Sequence, residues 1–134
     1  GADMEKLFEE GILVRPRYRP HFIHDLELAS IDISSGDFPV TKLAPAIIKS
    51  SMISHACSIY LEEREKVTPK PISAWFCPDV TVAETTVEAI EELGLSVNLI
   101  TASTPIKERM QMISAHARGE VEAVVSVGAR AYKW

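Results

Sequence analysis

Three short stretches hold the residue types that could do chemistry: Cys77-Pro-Asp79, Thr101-Ala-Ser-Thr104 and Gly128-Ala-Arg130. Each follows an apolar run of strand character, and in a parallel sheet ligands collect at the carboxyl ends of the strands. The Ser103 and Thr104 hydroxyls, beside a helix that starts near Pro105, suit a phosphate held by unpaired backbone N–H groups and the helix dipole. Asp79, Thr81 and Thr104 are equally well placed simply to cap helices, the commoner use of such residues. A basic segment with interleaved aromatics, Arg15, Arg17, Tyr18, Arg19 and Phe22 with Lys42 nearby, could stack on and neutralise a single nucleic-acid strand. Its plainer use is as a hinge whose arginines pair with the surplus acids. Cys77 next to a helix amino terminus is a candidate for a lowered pKa, although a thiol there more often packs.

These stretches need a scaffold, and the pattern from Ile72 to Gly128 supplies one. Strands are expected at Ile72–Cys77, Val97–Ile100 and Val121–Val127, with helices over about Val80–Leu93 and Pro105–Arg118. Thr81 and Glu84 have the form of a capping box, Ala83, Val87, Ile90 and Leu93 make an apolar stripe, and Gly94 ends the helix. Thr104 is expected to cap the next helix, with Pro105 in its first turn, a buried stripe of Ile106, Met110, Ile113 and Ala117, and Gly119 as its stop. Helices that link consecutive short strands imply right-handed crossovers into a parallel sheet.

Upstream, a short helix from Met4 to Gly11 leads into Val14-Arg-Pro-Arg-Tyr-Arg-Pro20, where prolines favour an extended connector. Leu26–Ile33 alternates as a strand would, and Ser34–Asp37 reads as a turn. Val40–Glu65 reads as two helices parted near Ser50 and Ser51, the second ending where Glu62 and Lys66 stand one turn apart. Gly1-Ala-Asp3 has the look of an expression-tag remnant before Met4. The expected organisation is residues 4–25 as helix and basic connector and residues 26–134 as the domain proper.

Composition narrows the classes. The 134 residues, 46% of them apolar, suffice for one core of ordinary domain size. A formal net charge of −5 argues against a generally basic protein that coats nucleic acid. No apolar run approaches the roughly 20 residues that span a bilayer, so no membrane partner is expected. Two cysteines with no apolar signal segment suggest reduced thiols and a cytoplasmic location. The four histidines and two cysteines show no zinc-site spacing, so no metal is expected. No glycine-rich loop ending in Lys-Ser or Lys-Thr occurs.

Phe76-Cys-Pro-Asp-Val80, Ser103-Thr-Pro-Ile-Lys-Glu-Arg109 and Gly119-Glu-Val-Glu-Ala-Val-Val-Ser-Val-Gly128, at this spacing, resemble the second RecA-like lobe of superfamily 2 helicases. Glu9-Glu-Gly-Ile-Leu-Val-Arg-Pro-Arg-Tyr-Arg19 is similar to the segment that leaves the first lobe in DEAD/DEAH-like DNA helicases. The resemblance covers most of the chain and is densest from Ser73 to Gly128. It implies an α/β, three-layer RecA-like (P-loop NTPase-like) fold with a mostly parallel sheet, present as an incomplete helicase C-terminal lobe. It also implies that the strand at Trp75–Asp79 is motif IV and that the strand ending at Gly128 begins motif V. Pro78, Asp79, Ser103, Thr104 and Gly128 would then lie against the sugar-phosphate backbone of a bound strand, and Arg109 would tie its helix to a neighbouring loop. Contacts of that kind hold a strand without reading its sequence.

Departures from the family pattern set the functional expectation. After Gly128 the family continues with a small or hydroxyl residue, an acid, a glycine and an aspartate, whereas this chain reads Ala129-Arg-Ala-Tyr-Lys-Trp134. Motif V is expected to break off there, with motif VI and the first lobe missing. Phosphoryl transfer needs a Lys, a metal carboxylate and an arginine finger together. The chain is therefore expected to need no cofactor of its own, ATP and Mg belonging to the full-length family, and to be no enzyme in isolation. Its expected partners are a DNA or RNA backbone, a second copy, or the missing first lobe. An alternative is an interaction module that docks through surface the absent lobe would cover, with Tyr132 and Trp134 as anchors. A third is a small α/β enzyme that binds a phosphorylated metabolite at the Thr104 helix. A sheet that stops at Val127 also leaves an edge, to be covered by Leu26–Ile33, the C-terminal tail or a second copy.

Overall fold

A computed structural model of the chain describes residues 3–26, 40–67 and 71–128. Its elements are α1 (Met4–Glu9), α2 (Val40–Lys49), α3 (Met52–Arg64), β1 (Ser73–Cys77), α4 (Val80–Glu92), β2 (Val97–Ile100), α5 (Ile106–Ala117) and β3 (Ala123–Val127). Every strand and helix expected between Ile72 and Gly128 forms, within two residues at each end. The split of the Val40–Glu65 segment falls at Ser50 and Ser51, as its pattern suggests. The strand expected from Leu26 and the turn at Ser34–Asp37 lie, apart from Leu26 itself, outside the described residues.

The three strands form one parallel sheet in the order β1-β3-β2. Ser73 pairs with Ala123 and Cys77 with Val127 on one side, and Val97 with Ala123 and Ile100 with Ser126 on the other. β3 is thus central, which corrects the expectation of an open edge at Val127: the outer strands are β1 and β2. The reason is visible in its residues. Ala123, Val124, Val125 and Ser126 are all buried, the continuous small and β-branched run of a strand covered on both faces.

Ala123 and Val125 pack with Ala83 and Ile90 of α4 and Ala44 and Ile47 of α2, while Val124 points the other way, onto Ile113 of α5 and Ile100. Helices therefore lie on both faces of the sheet. Cover by α5 is narrower than expected. Of the stripe Ile106, Met110, Ile113 and Ala117, only Ile113 is buried, Ile106 is 72% exposed, and the inner face carries His116 instead. The helical period was legible but its phase was not, because α5 rests mainly on β3 and leaves β1 bare on that side. Ala74 and Phe76 of β1 are accordingly exposed, Phe76 to 57%.

The amino end of the sheet is fastened by Glu122. Its carboxylate accepts two hydrogen bonds from Arg64, from Nε at 2.9 Å and Nη2 at 2.7 Å, and a third from the Tyr60 hydroxyl. Its backbone N–H donates to Ser96 Oγ at 2.9 Å and its carbonyl accepts from the Ser73 N–H at 2.8 Å. One residue thereby joins α3 to β1, β3 and the loop before β2. The Tyr60 ring also meets Trp75 edge-on, 5.7 Å between centroids. At the other end of α3, the Asp25 carboxylate accepts from both the N–H and the hydroxyl of Ser51 at 2.9 Å, a cap supplied from a distance where Ser51 makes none itself. Lys66 pairs with Glu63 at 3.3 Å rather than with Glu62.

Arg64 beside it holds the Glu122 carboxyl below the ordinary glutamate range, burial opposing and the Tyr60 hydrogen bond assisting. A carboxyl with a depressed folded-state pKa stabilises the fold above its unfolded value of about 4.3, and that contribution is lost as pH falls through the folded value. Glu122→Gln should therefore lower stability at pH 7 by about 1–3 kcal/mol, the worth of hydrogen bonds to a charged group. Urea titrations at pH 7 and at pH 3 check this: the gap between wild type and variant narrows at the lower pH.

Candidate functional site

Because all three strands run in the same direction, the ends of β1, β2 and β3 lie along one edge of the sheet. Neighbouring strands are about 4.8 Å apart, so the loops that leave them begin within about 10 Å of one another. Pro78 and Asp79 follow β1, Ser103 and Thr104 follow β2, and Gly128 follows β3 between them. Five of the seven expected contact residues are thereby collected on one edge. Gly128 locks the middle of it: its φ of +77° takes the left-handed turn that favours glycine, and its N–H donates to the Cys77 carbonyl at 3.0 Å. The Ser126 hydroxyl closes the same turn by donating to the Gly128 carbonyl at 2.7 Å.

Local chemistry explains each loop. Asp79 is the N-cap of α4, its Oδ1 accepting from the Val82 N–H at 2.9 Å. The capping box expected from Thr81 and Glu84 does not form. Thr81 already lies inside the helix, where its carbonyl accepts from the Thr85 hydroxyl, because aspartate two residues earlier reaches the same orphan donors first. Thr104 does not cap α5 either. Its hydroxyl oxygen turns back to accept from the Thr101 N–H at 2.9 Å, and its own N–H donates to the Thr101 carbonyl at 3.1 Å. The Ser103 N–H donates to Thr101 Oγ1 at 3.2 Å, and the two hydroxyls lie 2.9 Å apart. The N-cap position of α5 is Pro105, with no side-chain hydrogen bond, so the helix presents its first N–H groups without a capping side chain.

Two expected residues are elsewhere. Arg19 pairs with Glu63 at 2.9 Å and Arg17 with the same carboxylate at 3.9 Å. Glu63 precedes Arg64, which grips Glu122 just before β3 begins, so this pair of arginines belongs to the amino end of the sheet. Arg15 donates to both Glu5 carboxylate oxygens, from Nη1 and Nη2, and lies over the Phe8 ring. The arginine segment behaves here as a connector pinned by acids. Arg109, expected to tie α5 to a loop, makes no such bond among the described residues, and its Nε is buried without a hydrogen-bond partner.

Two features of the edge were not singled out from sequence. Lys49, at the end of α2, shares a groove with Asp79 and Thr81, and a second, apolar groove runs under Phe76, Cys77 and Pro78 against Met52 and Ile53. Neither was legible, since nothing in the sequence brings α2 and α3 to the end of β1. Among the described residues, no group of three or more His, Cys, Asp or Glu is placed to hold a metal ion, and no helix is long and apolar enough to cross a membrane. In comparison with known proteins, no family model matches the chain and no curated protein sequence matches it.

Of the two readings of Cys77, packing holds and the lowered pKa does not. Burial pushes the Cys77 thiol up, the Thr86 hydroxyl lowering it and Asp79 raising it, and burial likewise raises Cys57. Both cysteines are free and buried. Alkylation by iodoacetamide at pH 8, followed by mass spectrometry, should modify both several-fold more slowly in the native chain than in urea.

Proposed function

We propose that this chain belongs to the second lobe of a superfamily 2 helicase-like protein, RecA-like in fold, and contacts the sugar-phosphate backbone of a single nucleic-acid strand weakly and without sequence preference. The observation that carries this is the alignment of Pro78, Asp79, Gly128, Ser103 and Thr104 along one edge of a parallel sheet. Support also comes from the α5 amino terminus at that edge, without a side-chain cap, and from the partnerless Arg109 Nε one turn further in. Arg17 and Arg19, paired with Glu63 toward the amino end of the sheet, are not part of this edge. The ATP and Mg of the family would need a Lys-bearing phosphate loop, a metal carboxylate and an arginine finger. The 134 residues carry none of these in the family's patterns, so hydrolysis and unwinding are not assigned to this chain by itself. A reducing cytoplasm suits its two free thiols.

Fluorescence anisotropy with a labelled single-stranded oligonucleotide tests the proposal. Binding should be weak, with Kd on the order of 10⁻⁴–10⁻⁶ M at physiological salt, and should tighten as salt is lowered. Added ATP should release no phosphate. Failure to bind even at low salt, or hydrolysis stimulated by the oligonucleotide, would overturn it.

A second proposal, a module that self-associates, is favoured by one specific observation. Ala74 and Phe76 on β1 share the sheet face of Val124, and Ile106 and Met110 of α5 are exposed on that same side. Light scattering on a size-exclusion column should then give a mass that rises with concentration, and Phe76→Asp should return it to the monomer. A wild-type monomer at every concentration would remove this second proposal.

A further inference from the structure

The groove between α2 and the start of α4 is a cavity of about 340 Å³. Ala44, Pro45 and Ile48 form its apolar part, and Lys49, Asp79 and Thr81 bring polar groups to it. An apolar floor with a few polar groups suits a small organic unit. Lys49 has no ion pair among the described residues. Asp79 spends Oδ1 on the Val82 N–H, and its Oδ2 takes no hydrogen bond among them.

We infer that this groove seats one ribonucleotide unit, with Lys49 on a phosphate and the spare Asp79 oxygen accepting from a 2′-hydroxyl, so that the chain prefers RNA to DNA. The inference rests on the proposal that a strand crosses the carboxyl edge, and it deepens it. A deoxyribose-phosphate backbone offers acceptors alone, so a carboxylate in its path meets repulsion and no proton. The ribose 2′-hydroxyl is the one donor that the sugar-phosphate backbone of a strand possesses, and an ionised carboxylate can only accept. Lys49 offsets the carboxylate charge for the phosphate that follows, while the apolar floor takes the face of the sugar. The overall charge of −5 makes this local pairing of one cation with one acceptor the more necessary.

Oligouridine and oligodeoxyuridine of equal length isolate the hydroxyl, and anisotropy with the full chain reads both affinities. Wild type should favour the ribo-polymer by about tenfold, as expected of hydrogen bonds to a charged acceptor. Asp79→Asn keeps an oxygen for the Val82 N–H but turns the spare acceptor into a donor, so it should fold as wild type and bring the ratio close to one. Lys49→Gln should weaken both polymers alike and reduce the slope of log affinity against log salt by about one. Should Asp79→Asn fail to fold, 2′-O-methyl oligouridine carries the test with the wild-type chain, since it lacks the 2′ donor and should bind no better than the deoxy polymer. Equal wild-type affinity for the two polymers, an RNA preference that survives Asp79→Asn, or an unchanged salt slope in Lys49→Gln would overturn the inference while leaving the edge as a binding surface. Binding to neither polymer would instead remove the underlying proposal, and this inference with it.

Discussion

Glu122 is the residue on which the geometry depends. A carboxylate whose side chain is only 16% exposed loses most of its hydration and is tolerated because Arg64 and Tyr60 replace the water with directed hydrogen bonds. Removing one partner of such a pair leaves the other charge half-buried, which costs more than the pair itself contributes. The backbone of the same residue binds Ser73 and Ser96. The angle at which α3 meets the sheet is therefore coupled to the register of β1, and through Ser50 and Ser51 it sets where α2 lies. Both grooves at the carboxyl end inherit their walls from that placement, although Glu122 sits at the opposite end of the strands.

Much of the fold was legible because local signals agreed with one another. Apolar runs of four to five residues alternated with helical stripes between Ser73 and Val127, and glycines at 94 and 119 stopped the helices where expected. Strand order was not legible. The length of a crossover says that two strands are parallel, but not whether a later strand will insert between them, and β3 does so because its residues are small enough to be covered on both faces. The phase of α5 was not legible either. Ile106 and Met110 fit an apolar stripe, but α5 sets Ile113 and His116 inward and leaves the first two exposed.

For the candidate site, residue types were more legible than roles. Asp79, Ser103, Thr104 and Gly128 do gather at one edge, yet Asp79 rather than Thr81 caps α4, and Thr104 spends its hydroxyl inside its own loop. Short polar side chains bond to whichever backbone group is nearest, a competition that spacing alone does not resolve. Arg17 and Arg19 show the limit of reading charge in one dimension, since the carboxylate that claims them is more than forty residues away, on α3. Lys49 went unnoticed for the converse reason: an isolated lysine in a helix becomes informative only when its neighbours across the groove are known.

The central position of β3 also governs how the chain can assemble. β1 and β2 have no partner but β3 in the described sheet, so during synthesis both emerge long before the strand that joins them. Their main-chain groups stay open to water, or to a neighbouring nascent chain, until residues 123–127 leave the ribosome. Folding of the sheet is then a late insertion step rather than a progressive zipping, with the vulnerability to misassembly that long-range pairing brings.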